Sequence, residues 1–350
     1  MELLLHDSPA YDEALGRLQP YGISCLNGFT NHAPMAVEAM CRLQREDAIG
    51  PFLDAYIPGL QRAASDMPAI DKHARGDALG RVFSYEAWLA TFRSELEAKG
   101  ARAVSEAWLP RLTVGCVAGA FHGPLMSAHA LRGIEVRETP LRLEAVARGL
   151  AYWASCFQPL SGRPTRSADG RPLDALIASM TPGEGPRSGA IDAAVVTHTH
   201  GNADFAEWVS QPRRAGDDLV ASLAAWGARA LLEYPSVTAS IIFTHTVTGP
   251  VAFRTLFRWM PQSTHEAAGD YLWQAFAGVF STFTGPTALA SLNFEVDEVD
   301  PDDLVRAAID VQDEHAIKLA EAVLSEPATG GHRRQMLAAA VAVCERLSER

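Results

Sequence analysis

The chain has 350 residues, 48% of them hydrophobic and 8% aromatic, enough to build a sizeable core in one large domain or two. Its formal net charge is −12 and its isoelectric point about 5.4, which argues against a nucleic-acid or anionic-membrane partner, since either calls for a basic patch. Met1-Glu2-Leu3-Leu4-Leu5-His6-Asp7 lacks the basic start and apolar run of a targeting signal. Cys25, Cys41, Cys116, Cys156 and Cys344 show no CxxC spacing, so reduced thiols in a soluble cytoplasmic protein are expected.

In chain order, apolar residues recur at three- and four-residue steps over Ala36–Leu43, Tyr85–Leu96, Arg142–Cys156, Asp217–Leu232, Ala267–Phe280, Leu304–Leu324 and Arg334–Leu347. Alanine is abundant inside these runs and favours helix. Short strand candidates are Ile191–Val196 and Leu292–Glu298. No alternation of strand and helix points to a doubly wound sheet. The reading is an all-α fold: one helical domain over residues 1–350 with a buried metal site between helices. It is interrupted by an irregular stretch at about 158–190, with Gly162-Arg163-Pro164, Asp169-Gly170-Arg171-Pro172 and Pro182-Gly183-Glu184-Gly185-Pro186. That stretch reads equally as a domain boundary or as a lid over a shared site.

Four stretches contain no Asp, Glu, Lys or Arg: Leu18–Val37, Leu112–Leu131, Tyr234–Phe253 and Tyr271–Phe294. Such segments are usually interior, because charged residues rarely bury unpaired. The first three carry His32, His122 with His129, and His245. A buried imidazole needs a partner for each nitrogen, and a metal ion is one such partner. Three of them far apart in sequence suggest one shared interior site. The stretches are poor membrane spans, being broken by Pro, Gly and polar residues. Gly123-Pro124 after His122 and Gly249-Pro250 after His245 are expected to loosen a helix near the site. His129, seven residues beyond His122, shares its face if the helix continues.

In Asp313-Glu314-His315-Ala316-Ile317-Lys318 the i, i+3 spacing places His315 and Lys318 on one helix face. On spacing alone, a surface pair on a charged helix is the plainer reading. Val195-Val196-Thr197-His198-Thr199-His200-Gly201-Asn202-Ala203-Asp204 resembles the HxHxDH motif of metallo-β-lactamase-like hydrolases, but the register fails, and a loop pair near a cavity mouth is expected instead. Gly183-x-Gly185-x-x-x-Gly189 has the wrong spacing for a dinucleotide fingerprint, and HExxH, GxSxG and P-loop motifs are missing.

With Asn31-His32-Ala33-Pro34-Met35, Ala120-Phe121-His122-Gly123, His245-Thr246-Val247-Thr248-Gly249 and His315-Ala316-Ile317-Lys318 in that order, the chain resembles the questin oxidase-like family. Its best-known members open rings of anthraquinones and related aromatic polyketides. The resemblance implies a mostly helical fold holding a mononuclear non-haem Fe(II). The implied ligands are His32, His122, His245, His315 and a side-chain-carboxylated Lys318, with His315 and Lys318 in the catalytic roles. It further implies O2 and an aromatic small molecule as substrates, with ring C–C cleavage by dioxygenation or Baeyer–Villiger-type insertion. No nucleotide motif supports a flavin mechanism, whereas NADPH as an external reductant stays compatible. Imidazoles suit iron among several transition metals, and a carbamate is an oxygen-donor anion where an ammonium is not. Phe121, Trp153, Phe243, Trp273 and Phe280 are candidates to wall an apolar pocket. Two competing expectations are a zinc or manganese hydrolase in the same cavity and a catalytically silent small-molecule binder.

Overall fold

In the computed structural model, residues 3, 6–167, 169–181, 183–212, 218–285, 296–327 and 332–349 are described. The helices in chain order are α1 (Pro9–Leu18), α2 (Ala33–Arg42), α3 (Ile49–Tyr56), α4 (Arg75–Ala78), α5 (Tyr85–Leu112), α6 (His122–Val136), α7 (Pro140–Ser155) and α8 (Leu173–Ala178). They continue with α9 (Ile191–Thr199), α10 (Ala203–Ser210), α11 (Leu219–Glu233), α12 (Val237–Arg258), α13 (His265–Phe283), α14 (Pro301–Val311), α15 (Glu314–Ser325) and α16 (Arg333–Ser348). Among the described residues the only sheet is an antiparallel pair, β1 (Tyr21–Cys25) with β2 (Leu60–Arg62), in which Tyr21 faces Arg62 and Cys25 faces Leu60. The fold is all-α, and one apolar cluster runs from Tyr11 to Leu347.

Local chemistry explains the helix starts. Thr139, Asn202, Asp218, Ser236, Asp300 and Asp313 each accept a backbone N–H of the first turn through the side chain, satisfying donors that have no intrahelical partner. Pro140 and Pro301 follow two of these caps, where a missing N–H costs nothing.

Several expectations need correction. Leu304–Leu324 is not one helix. Gln312 adopts a left-handed conformation (φ 53°) and ends α14, and Asp313 caps a new helix. Ile191–Val196 is the first part of α9 rather than a strand. Its run of apolar residues packs against α13, where Val195 and Thr199 meet Gly278. In Leu292–Glu298, residues 292–295 lie outside the described residues, as do Pro182 of the irregular stretch and Asp217 of the Asp217–Leu232 helix, while Val296–Glu298 has no regular structure. The first charge-free stretch is not wholly interior: Leu26 is 68% and Phe29 70% exposed, at the turn after β1.

Gly123-Pro124 and Gly249-Pro250 do not break their helices. Gly123 and Pro124 occupy the first turn of α6, and α12 runs through Pro250. The glycines serve close approach instead. A Cβ on Gly123 would meet Trp153 at 2.6 Å, and one on Gly249 would meet the Phe121 ring at 2.7 Å. The 158–190 stretch contains α8 and is tied to α13. Arg166 pairs with Asp270 at 2.5 Å, and Gln274 donates to the carbonyls of Ser161 and Gly162. Among the described residues no helix is long and apolar enough to cross a membrane.

Candidate metal centre

Four helices close a ring: α2 packs on α6, α6 on α12, α12 on α15, and α15 back on α2. Each contributes at its inner face. His32 is the residue before α2, and Tyr56 fixes it by accepting its backbone N–H at 3.0 Å. His122 opens α6 after three consecutive left-handed residues, Gly119, Ala120 and Phe121 (φ 53°, 58° and 67°). A left-handed conformation in alanine and phenylalanine costs energy and persists only where the surroundings impose it. Here it returns the Gly119 carbonyl to His122 Nδ1. His245 sits in the middle of α12, and His315 and Lys318 lie one turn apart on α15.

The structure brings all five predicted residues together. Ring centroids are 4.4 Å apart for His32 and His122, 4.7 Å for His122 and His245, 4.9 Å for His32 and His315, and 5.5 Å for His245 and His315. Lys318 Nζ lies 3.2 Å from His32 Nδ1. His315 is only 7% exposed and Lys318 1%, so the plainer surface reading of that pair is wrong. The amphipathic turn of α15 faces inward because α2, α12 and α16 cover it.

The hydrogen bonds follow one pattern. His122 Nδ1 contacts the Gly119 carbonyl, His245 Nδ1 the Ile241 carbonyl at 2.7 Å, and His315 Nδ1 the Asp313 carboxylate at 3.1 Å. Carbonyl and carboxylate oxygens only accept, so these Nδ1 atoms carry hydrogen and the Nε2 atoms of neutral rings bear lone pairs. The Nε2 atoms of His122 and His245 lie 3.1 Å apart, lone pair against lone pair. The Nε2 atoms of His32 and His315 have no hydrogen-bond partner among the described residues. Protonating a ring would relieve the contact, yet burial, then Lys318 and the neighbouring histidines, holds His32 well below the usual histidine range. Burial and the neighbouring histidines and Lys318 do the same for His122 and His245. A cation between the His122 and His245 Nε2 atoms fits their spacing, since two nitrogens bound side by side at about 2.1 Å stand about 3 Å apart, and His32, Glu314 and His315 bring one donor atom each within 4.8 Å of one another. Imidazoles whose Nδ1 is held by an oxygen acceptor leave Nε2 able to bind a metal ion. Burial lowers the Lys318 ammonium to about 8 against the opposing pull of Glu314 and Asp313.

Sequence reasoning missed three participants. Asp313 both caps α15 and holds His315. Glu314 brings Oε1 to 3.3 Å from His32 Nδ1 and 3.7 Å from His315 Nδ1. It was visible beside His315, but a helical-face reading at i, i+3 passes over it. The third is a second buried cluster farther along α2, α6 and α15, about two turns past His32 and His122 and one turn past Lys318. Arg132 donates to Glu38 at 3.0 and 2.5 Å and to Glu321 at 3.1 Å, His129 Nδ1 lies 2.6 Å from Glu38, and Arg42 pairs with Glu321. His129 therefore belongs to an ionic cluster rather than to the imidazole site. Burial alone would raise the Glu38 carboxyl, but Arg132 and His129 hold it well below the usual range.

His198 and His200 stand elsewhere. His198 is on α9, half-buried, and His200 caps that helix and is exposed, so they form no loop pair of the expected kind. The five aromatic candidates are all buried. Phe121 seats against Gly249, Trp153 against Gly123 with its indole on the Gly115 carbonyl, and Phe243 between Tyr234 and Phe280. Trp273 stacks on Phe276. They are core as the structure stands. No known protein-family model matches the chain, and no curated protein matches it.

Proposed function

We propose that this protein is a non-haem iron oxygenase that uses O2 to open a ring of an aromatic polyketide or quinone-like substrate. The observation that carries the reading is the gathering of four buried imidazoles around Lys318, with the Nε2 atoms of His122 and His245 facing each other at 3.1 Å and donor atoms of His32, Glu314 and His315 within 4.8 Å of one another. Imidazoles suit several transition metals; the resemblance of the ordered motifs around His32, His122, His245 and His315-Lys318 to the questin oxidase-like family is what favours iron.

His32, His122, His245 and His315 would hold the ion, with Gly119, Ile241 and Asp313 fixing the rings that face it. Lys318, lowered to about 8 by burial, has its free amine within reach at physiological pH. That amine can add CO2 with loss of a proton, giving a carbamate whose oxygen replaces an ammonium that could not bind a cation. Bound iron would supply the O2 activation that no side chain here offers. Whether the reaction is dioxygenation or Baeyer–Villiger-type insertion, and whether NADPH feeds it through an external reductant, belongs to product analysis.

The test is metal analysis of untagged protein purified without added metal, beside His315→Ala. About one iron per chain, lost in the variant, supports the reading and directs O2-uptake assays to aromatic polyketides. No metal in either, after anaerobic loading with ferrous iron, overturns it in favour of a silent binding protein. One zinc or manganese that iron does not replace favours a hydrolase.

A further inference from the structure

The segment that delivers His122 carries glycine at every fourth position, Gly115, Gly119 and Gly123. Each faces a ring from the end of α7 or just past it. A Cβ on Gly115 would meet the Phe157 ring at 2.6 Å, and one on Gly123 would meet Trp153 at 2.6 Å. A Cβ on Gly119 would reach the Tyr152 ring at 3.0 Å and overlap its hydroxyl. The left-handed run Gly119-Ala120-Phe121 is therefore seated on α7, the outside support that such a conformation needs. Trp153 spends its N–H inside this arch, on the Gly115 carbonyl at 3.2 Å. Tyr152 reaches out of it. Its hydroxyl is hydrogen-bonded to Thr30 Oγ1 at 2.9 Å, 122 residues away in sequence and two residues before His32. The Cys156 thiol, one turn on along α7, also neighbours that hydroxyl. Tyr152 is 7% exposed, so water is poorly placed to replace the bond.

The far side of the bond is tied down as well. Asn31 donates its backbone N–H to the Ile23 carbonyl at 2.8 Å and its side-chain amide to the Gly22 carbonyl at 3.1 Å, and Tyr56 accepts the His32 N–H. Thr30 thus belongs to the approach to His32, and Gly119 to the approach to His122. Tyr152 touches both. The two rings so delivered have the shortest centroid spacing of the centre, 4.4 Å. We propose that Tyr152 is a positioning residue of the centre: by bonding Thr30 while packing on Gly119, it sets the spacing of the His32 and His122 rings. The proposal rests on the metal-centre reading for its purpose and on the packing of α7 for its content.

The experiment uses the full-length protein as wild type, Tyr152→Phe, Thr30→Val and the double variant. Tyr152→Phe keeps the ring on Gly119 and loses the bond. The control is Thr91→Val, which removes a buried hydroxyl that accepts the Ile70 N–H at 2.8 Å on α5, a helix outside the ring of four. Anaerobic titration with Co(II), read by its ligand-field absorption, is expected to weaken about 10-fold in each single variant. The double variant is expected to lose no more, because both substitutions remove one bond. Thr91→Val is expected to lower the thermal transition and keep wild-type Co(II) affinity. Metal-free crystal structures are expected to show the His32–His122 spacing widened in Tyr152→Phe by about 0.5 Å, the tolerance of a preorganised site. Wild-type Co(II) affinity in Tyr152→Phe, losses that add in the double variant, an equal loss in Thr91→Val, or an unchanged ring spacing would each overturn the proposal. Failure of the wild type to bind Co(II) counts against the metal reading, and the crystal structures then decide the role of Tyr152 on their own.

Discussion

Two buried histidine-containing clusters share α2, α6 and α15, one turn apart on α15 and about two turns apart on α2 and α6, and they solve burial in opposite ways. Around Glu38, His129, Arg132, Glu321 and Arg42, cations meet anions at 2.5 to 3.1 Å. Around His32, His122, His245, His315 and Lys318, lone pairs meet lone pairs and a lysine has no carboxylate in contact. Lys318 borders a small cavity of about 10 Å³ together with His129, Arg132 and Glu321 of the first cluster. The first cluster pairs every charge with an opposite one, leaving Arg42 Nε as its unsatisfied atom. The second, on the proposed reading, would be completed by a cation. Histidine count alone would not separate them; what does is the identity of the atom opposite each nitrogen.

The sharpest way to break the comparison is to replace one cation in each cluster. Arg132→Met leaves Glu38 and Glu321 buried without that partner and is expected to cost about 3–5 kcal/mol in chemical unfolding. Lys318→Met acts the other way in metal-free protein. Lowering the lysine from 10.5 to about 8 corresponds to about 3 kcal/mol of destabilisation at neutral pH, which an apolar side chain removes. Equal signs for the two variants would refute the distinction. The same substitution carries a pH signature. Between about 8 and 10.5 the unfolded chain holds the Lys318 proton and the folded chain does not. Wild-type stability therefore gains a contribution as pH rises through that window, and Lys318→Met loses it.

Acidification tests the imidazoles. His32, His122 and His245 lie well below 6.5 when folded, so below about pH 6.5 the unfolded state takes up protons that the folded state refuses. Metal-free protein is expected to lose stability steadily there, and His122→Gln to flatten the slope; an unchanged slope would contradict the assigned lone pairs. Next in size is Gly249→Ala. Its Cβ would meet the Phe121 ring at 2.7 Å, so a cost of about 1–3 kcal/mol is expected, with metal affinity falling as His122 shifts. The smallest effect expected is from Gln312→Gly. It removes a left-handed side-chain penalty at the end of α14 (φ 53°) and should raise stability by about 1 kcal/mol without touching the centre.

Much of this arrangement is legible in the sequence. Periodicity locates α2, α5, α7, α11, α13 and α16, and charge-free stretches mark His32, His122 and His245 as interior. The break at Gln312-Asp313 is not legible by period, because the apolar face resumes almost in phase on its far side. Ile191–Val196 misleads because a short apolar run fits a buried strand and a buried helix alike. His129 also falls in a charge-free stretch, yet its partners Glu38 and Glu321 come from helices distant in sequence. A local reading sees the absence of charge around a histidine and cannot see charge arriving from across the fold. Glu314 is hidden for the opposite reason: it sits among charges that look like an ordinary solvated helix start.

The closed ring of α2, α6, α12 and α15 also governs timing. Its members begin at residue 33 and end at residue 325, so the seam between α15 and α2 joins segments nearly a chain length apart. Contacts of such separation form late, after the entropy of closing long loops has been overcome. The centre is therefore absent from any nascent chain that has not reached Lys318. On the proposed reading, metal capture and closure of the seam between α15 and α2 would be a single late event.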